Sequence, residues 1–503
     1  MPSSKADKPA AQLREVLALL SAAVESLASE WESSPGHDDA AASATDTENA
    51  AAATTTTKNT NTVSHAENDA VKVIIAALGS IESLVLDPHT RLLNLSMSYL
   101  IARALHVAAE HGVAELLARA EQGGVSAVQL AKETGIEEGK LCRVMRTLTS
   151  HHVFQEIEEG CFANNRISQA LVGDAAFQAN IVMKGQLQYT ASDFLPQALV
   201  NPATRDSHDP RKTAFQQAVG TKLSLFEWMN ELVPESEVNW RPRAVRKHPC
   251  EEDDDDNGPL KSHVSSQKMV PRPEKQLFNL AISGQGKGTE KYCVLDFPWQ
   301  DLQDGATVVD VGGGIGKSST FHTLCSFCMQ LHAYHPNLSL IVQDREHVIQ
   351  QAIAVWETKH PSAVADGRVT LAPHDFFQKN PVVGAEIYWL RYIIHDWADN
   401  EAIAILSRVA ESMSPSSRIL IAEILMNTTL PSNKLKSAPE PLLANYGVAM
   451  APAHMMDLNM MMMTNGRERT PAEFERIVQA AGLVMDKIWE CRGPLSIIEC
   501  RLA

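Results

Sequence analysis

Basic residues are scarce in this chain, 44 against 61 acidic ones, leaving a formal net charge of -17 over 503 residues. A surface so short of positive charge lacks the face that nucleic acid or an anionic bilayer requires, which argues against both as partners. Six of the acids stand in one run, Glu251 to Asp256, and the balance stays negative without it. Paired cysteine is lacking as well. Of eight cysteines only Cys325 and Cys328 form a CxxC, with no second pair or histidines at zinc spacing and no strand before it. That argues against a zinc ribbon, a thioredoxin-like motif and a disulfide scaffold. The pair lies in the apolar, helix-like stretch 321–331 and reads as packed, reduced thiols, as an intracellular compartment keeps them. Long apolar runs are missing too: no stretch reaches the ~18 to 20 apolar residues of a spanning helix. Arg14 and Glu15 interrupt the N-terminal apolar positions where a signal peptide keeps an unbroken core. These absences predict a cytoplasmic protein with no membrane partner.

What is present is a globular composition, 44% hydrophobic and 21% charged, long enough for two or three domains at roughly 150 residues each. Residues 1–32 read as an amphipathic helix, centred on Gln12 to Trp31, and 33–69 as a low-complexity linker rich in Ala, Thr, Asn and Asp. Helical periodicity returns from Ala70 through Leu86 and again from Leu92 to His111. A helix from Ala127, a turn at Gly135, a helix over Leu141 to Thr149 and a hairpin around Glu159-Gly160 form a winged-helix pattern, so 70–233 is expected to be one mainly helical domain. Residues 234–273 carry the acidic run and read as an exposed insertion. From 274 to 503 apolar runs alternate with helical stretches: Thr307 to Val311, Leu338 to Val342, Val369 to Ala372, Ile387 to Leu390 and Arg418 to Glu423. This alternation predicts an α/β domain with a doubly wound, Rossmann-like sheet that binds ligands at the strand carboxyl ends.

The first of these strands runs into Gly312-Gly313-Gly314-Ile315-Gly316-Lys317-Ser318. A phosphate loop needs glycine at 311, where the chain has Val311, and a dinucleotide fingerprint needs glycine at 317, where it has Lys317. A GxGxG turn through Gly312, Gly314 and Gly316, which brings backbone close to a phosphate-free ligand such as S-adenosylmethionine, fits throughout. Asp344 closes the second strand, where a carboxylate can accept two ribose hydroxyls or cap the next helix. Asp375 and Phe376 follow the third strand, offering a polar edge and an apolar face; alone they are ordinary loop chemistry.

His395, in Leu390-Arg391-Tyr392-Ile393-Ile394-His395-Asp396-Trp397 after the fourth strand, is the best general-base candidate. An imidazole titrating near 6.5 is neutral in the cytosol and can take a proton from a phenol. Glu423 ends the fifth strand and Glu468 lies in a turn, so both could flank the ring and fix its tautomer. The alternative pairs these acids with Arg467 or Arg469.

In order and spacing, Val309-Asp310-Val311-Gly312-Gly313-Gly314, His395-Asp396-Trp397, Ala422-Glu423 and Gly466-Arg467-Glu468-Arg469-Thr470 resemble the plant and fungal class of S-adenosylmethionine-dependent O-methyltransferases. Leu295-Asp296-Phe297-Pro298-Trp299 and the segment Phe215 to Trp228 resemble the fungal enzymes that methylate polyketide phenols. The resemblance runs from about Ala70 to the C-terminus. It implies that Gly312 and Gly313 hold the methionine end of S-adenosylmethionine, Asp344 its ribose, Asp375 and Phe376 its adenine region, and that Arg391 is a basic contact. It implies that His395 accepts the proton, bracketed by Glu423 and Glu468, and that 70–233 is a dimerisation domain making a homodimer beside the catalytic domain 274–503. A small aromatic acceptor is then the partner, and no metal is demanded. The methionines 455, 456 and 460–463 read mainly as core, with Met456 or Met460 able to line an aromatic slot. Competing classes are N-methylation of an amine and a non-catalytic DNA-binding regulator, whose helix over Leu141 to Thr149 offers Arg143 and Arg146.

Overall fold

The protein is described by a computed structural model over residues 9–33, 62–120, 123–235, 268–284, 291–314 and 327–503. Most of the predicted linker, most of the predicted acidic insertion, and Gly316, Lys317, Ser318 and Cys325 lie outside the described residues. The chain folds as two compact units, one of residues 1–100, 286–460 and 466–503, the other of 101–285 and 461–465.

The first unit is built on a seven-stranded sheet. Its strands are β1 (Thr307–Val311), β2 (Ser339–Asp344), β3 (Val369–Pro373), β4 (Ile387–Arg391), β5 (Arg418–Ile424), β6 (Leu483–Glu490) and β7 (Leu495–Leu502), in the spatial order β6-β7-β5-β4-β1-β2-β3. β1 to β5 pair in parallel, while β7 pairs antiparallel with both β5 and β6. The period of two sorts each strand into two apolar layers. Val308, Leu340, Trp389 and Leu420 enter one with Trp299, Phe327 and Trp356; Val309, Tyr388, Leu390 and Ile421 enter the other with Ile405, Phe474 and Ile477. Strands covered on both faces read as unbroken apolar runs, which made β1 to β5 visible in the sequence. Trp389 stacks on Phe327 with ring centroids 4.0 Å apart, a contact contributing ~0.5–1.5 kcal/mol beyond area burial. The parallel register brings Gly312, Asp344, Arg391 and Glu423 to one edge of the sheet, the carboxyl ends of the strands.

Ahead of the sheet, the Pro9–Ser33 helix packs on the His65–Val85 helix, with Val16, Ala76 and Ala77 against Leu442 and Tyr446. The second of these starts at His65, before Ala70, because Ser64 accepts the Glu67 N–H at 3.0 Å and caps it. The Pro88–Met97 helix that follows has no buried residue, and Leu92, Leu93 and Leu95 stand exposed on it. Together with the Tyr99–Glu110 helix it forms 23 residues that, by length and composition, are apolar enough to cross a membrane. The sequence reading missed this stretch because Arg91, Asn94, Ser96, Ser98 and Arg103 interrupt its apolar residues.

In the second unit, the Ala127–Thr134 and Glu138–Thr149 helices and the Gln155–Glu158/Cys161–Ala163 hairpin close over Leu130, Leu141, Met145, Phe154 and Phe162. Ser126 and Gln129 form a capping box that starts the first of these helices, and Gly135 at φ 74° ends it. Arg146 is engaged by Glu156 at 2.8 Å, so half of the basic pair a DNA-reading helix would offer is already occupied. The Pro273–Gly284 helix packs on Ala175–Met183, and Asn180 donates to the Ala281 carbonyl at 3.1 Å.

Candidate active site

The chain leaves β1 through Gly312 at φ 77°, and the Gly312 and Gly313 N–H groups donate to the Gln343 carbonyl at 2.8 and 2.9 Å. A Cβ on Gly312 would meet Ile393 at 2.5 Å and one on Gly313 would meet the Asp310 carboxylate at 2.7 Å. Gly314, at φ 69°, has no described residue within 4 Å of where its Cβ would stand. Packing therefore leaves no room for a side chain at Gly312 or Gly313.

Asp344 ends β2 beside this turn. Its Oδ2 accepts the Gly314 N–H at 2.9 Å and its Oδ1 the Arg345 N–H at 2.7 Å. The following helix has no side-chain cap, so the capping role considered for Asp344 is not the one it plays. Burial raises the Asp344 carboxyl above its ordinary value, against the hydrogen bonds from Arg345 and Gly314. Asp375 is exposed and accepts the Phe377 N–H at 3.0 Å, while the half-buried Phe376 lies beside Gly312 and packs with Phe377 and Trp397. Arg391 ends β4, and its charge acts on Asp310, a carboxyl that burial pushes up to about 6 against Arg391 and the Cys328 thiol. Cys328, the described half of the CxxC, is buried, with its Sγ 3.3 Å from Asp310 Oδ2.

After β4 the backbone turns sharply. Tyr392 takes φ 55°, a conformation that costs a non-glycine residue energy and is found at functional turns. The short 3-10 helix Ile394–Asp396 then carries His395 into the interior. Glu423 holds this turn: its Oε1 accepts the N–H groups of Ile393, Ile394 and His395 at 3.0, 2.9 and 3.4 Å. His395 Nδ1 bonds Glu468 Oε1 at 2.8 Å, with Glu423 Oε2 at 3.7 Å from the same nitrogen. Asp396 Oδ1 lies 3.9 Å from Nε2. Both glutamates are fully buried. The structure thus brings His395, Glu423 and Glu468 together, whereas Arg467 pairs with Glu473 and Arg469 with Asp399.

The sequence reading took His395 as neutral near pH 7, and the structure corrects this. Burial would lower the imidazole, but the charges of Glu423 and Asp396 and the bond to Glu468 outweigh it and push the ring up to about 10. Glu423 is itself raised, by burial first and then by the neighbouring acids. Among the described residues these three are also the group whose ligand atoms, within 4.8 Å of one another, could hold a metal ion. Glu423 Oε1 is already committed to backbone donors.

Two residues of this site had been assigned no role from the sequence. Asp457, on the Ala451–Thr464 helix, accepts the Glu468 N–H at 2.9 Å and fixes the turn bearing that acid. Asp396 is the third acid around the ring. Its adjacency to His395 was the available signal, but sequence adjacency says nothing of side-chain direction. Of the methionines, Met462 and Met463 are core residues of the second unit, Met456 packs partly buried against the sheet layer, and Met455 is exposed.

Residues 291–484 match the O-methyltransferase domain family, and residues 93–174 match the O-methyltransferase dimerisation domain. The chain belongs to the O-methyltransferase family, of fungal secondary-metabolite type, and S-adenosylmethionine use is what that family implies. It is 40% identical over 446 residues to O-methyltransferase gedA of Aspergillus terreus, covering 87% of each chain. To O-methyltransferase tpcA of Aspergillus fumigatus it is 41% identical, over 86% of this chain and 87% of that one. Among solved structures, OxaC in complex with SAH and oxaline superposes with a TM-score of 0.63 at 20% identity, over 99% of this chain and 100% of that one. LepI in complex with SAM gives 0.63 at 21%, over 86% and 94%. These likenesses show the fold.

Proposed function

We propose that this protein methylates a phenolic hydroxyl of an aromatic, polyketide-type metabolite, with His395 as general base. The observation that carries the reading is the 2.8 Å bond between His395 Nδ1 and Glu468 Oε1. An ionised carboxylate only accepts, so Nδ1 carries the hydrogen and Nε2 is the nitrogen available to receive a proton. Nε2 takes the hydroxyl proton as the oxygen attacks, and Glu468 with Glu423 stabilises the imidazolium that results. The raised ring is a stronger base than a free imidazole, which suits it to take the proton of a phenol. The same elevation keeps most of the free protein protonated at neutral pH, so turnover rises toward alkaline pH.

Bound S-adenosylmethionine supplies a methyl group already activated by the sulfonium charge. Gly312 and Gly313 would hold its methionine end, Asp344 the ribose, Asp375 and Phe376 the adenine side, with Arg391 as the basic contact. The lack of room for a side chain at Gly312 and Gly313 and the Asp344 carboxylate beside the turn support this fit. A neutral amine would attack without a base and leave the Glu468 bond no task, which favours oxygen as the acceptor. We assign the protein to the cytoplasm, where its free thiols Cys142, Cys161, Cys293, Cys328, Cys491 and Cys500 stay reduced. A second copy would cover Leu92, Leu93 and Leu95, at the start of the dimerisation-domain match, in a homodimer.

The test is His395→Ala against a panel of hydroxylated aromatic rings. S-adenosylmethionine binding by calorimetry stays near normal, while methyl transfer falls at least ~100-fold. Retained turnover overturns the reading.

A further inference from the structure

One side chain holds both ends of the His395–Glu468 bond. Arg469 follows Glu468 directly and is 0% exposed, the deepest cation among the described residues. Its Nη1 donates to the Ile394 carbonyl at 2.9 Å and its Nη2 to the Trp397 carbonyl at 2.8 Å, so the guanidinium grips the turn on each side of His395. Its Nε and Nη2 also donate to Asp399 Oδ1 at 3.0 and 2.9 Å. Asp399 in turn receives Arg476 on its other oxygen at 2.8 Å. The backbone completes the lock: Arg467 N–H donates to the His395 carbonyl at 2.8 Å, and Met426 N–H to the Arg469 carbonyl at 3.0 Å.

We propose that Arg469 is a positioning residue for methyl transfer: its guanidinium clamps the 394–397 turn to the loop bearing Glu468 and so sets the distance between the imidazole and its carboxylate. This rests on the reading of His395 as the base. The planar fork matters as much as the charge. A structural ion pair with Asp399 asks only for a cation, which lysine supplies, but an ammonium at the end of a flexible stem cannot span two carbonyls three residues apart and a carboxylate at once. Burial makes the Ile394 contact costly to lose, since that carbonyl would be left without a donor in the interior.

The decisive comparison sets Arg469→Lys and Asp399→Asn beside the wild type, His395→Gln and Glu468→Gln, all as full chains. A hydrogen held between His395 Nδ1 and Glu468 gives a far-downfield proton resonance, read without any acceptor substrate. The clamp predicts that this resonance, present in wild type and absent from His395→Gln and Glu468→Gln, is lost in Arg469→Lys although the circular dichroism is native, and weakened in Asp399→Asn. It also predicts a fall of ~10- to 100-fold in kcat for Arg469→Lys, with S-adenosylmethionine affinity by calorimetry within about twofold of wild type. The rising limb of its pH–rate profile moves to lower pH as the Glu468 bond loosens. A resonance and a limb unchanged in both variants overturn the clamp while leaving His395 as base. Should Arg469→Lys fail to fold, an unchanged resonance in Asp399→Asn is sufficient to overturn it. A wild type with no such resonance, or one that survives in His395→Gln, removes the arrangement on which both readings stand.

Discussion

The acids at the carboxyl edge of the sheet fall into two groups that differ in who binds them. Around His395, Glu423 and Glu468 are buried and held from other parts of the chain: Glu423 by three N–H groups of the β4 turn, and the Glu468 N–H by Asp457 on a separate helix. Beside the glycine turn, Asp375 is bonded only within its own loop, and Asp344 bonds its neighbour and Gly314. The first arrangement is built from groups of the chain itself, through one oxygen of each glutamate. Three acids around one imidazole are eased in the interior by the ring's raised proton affinity and by burial, which pushes Glu423 and Asp396 above their ordinary values. The second is bonded through the Gly314 and Arg345 N–H groups at Asp344 and the Phe377 N–H at Asp375.

Breaking the two groups separately should therefore give opposite kinetic signatures. The largest effect belongs to His395→Gln, which lowers methyl transfer by at least ~100-fold while S-adenosylmethionine still binds in calorimetry. Glu468→Gln keeps the shape but not the charge, and lowers kcat by ~10- to 100-fold, with the ring's titration moved to lower pH in the rate profile. Asp344→Ala acts on the other side: the dissociation constant for S-adenosylmethionine rises by ~10-fold, and kcat at saturating cofactor changes little. The smallest effect concerns stability. The folded value of His395, about 10, lies above its ordinary value, so the stability it contributes is complete below about pH 6.5 and is lost as pH rises through about 10. The melting-temperature gap between wild type and His395→Gln, read by calorimetry, is then widest in mildly acidic buffer and closes toward pH 10.

The sequence exposed what burial makes periodic or uniform, and concealed what depends on direction. β1 to β5 stood out because both faces are covered, whereas β6 mixes Asp486, Lys487 and Glu490 with apolar residues at the sheet edge and carries a shift in pairing between Met485 and Lys487. The order of Gly312, Asp344, His395, Glu423 and Glu468 was readable because each ends or follows a strand or turn. That both glutamates would meet the same ring nitrogen was not, nor was the raised titration that results, since sequence holds no distances. The arginines of the Gly466 to Thr470 turn show the same limit. As neighbours of Glu468 they were plausible partners for it, yet Arg469 reaches back to Asp399, 70 residues away in the chain. The exposed apolar residues of the Pro88–Met97 helix became visible only once the fold showed that nothing among the described residues covers them.

The most direct test is a single-turnover measurement of methyl transfer in wild type and His395→Gln from neutral to alkaline pH, using any phenol the wild type accepts. If His395 removes the hydroxyl proton, the variant is slower by at least ~100-fold at neutral pH, while wild-type turnover climbs toward alkaline pH as the raised imidazole loses its proton. A variant that keeps pace with wild type at neutral pH would contradict it.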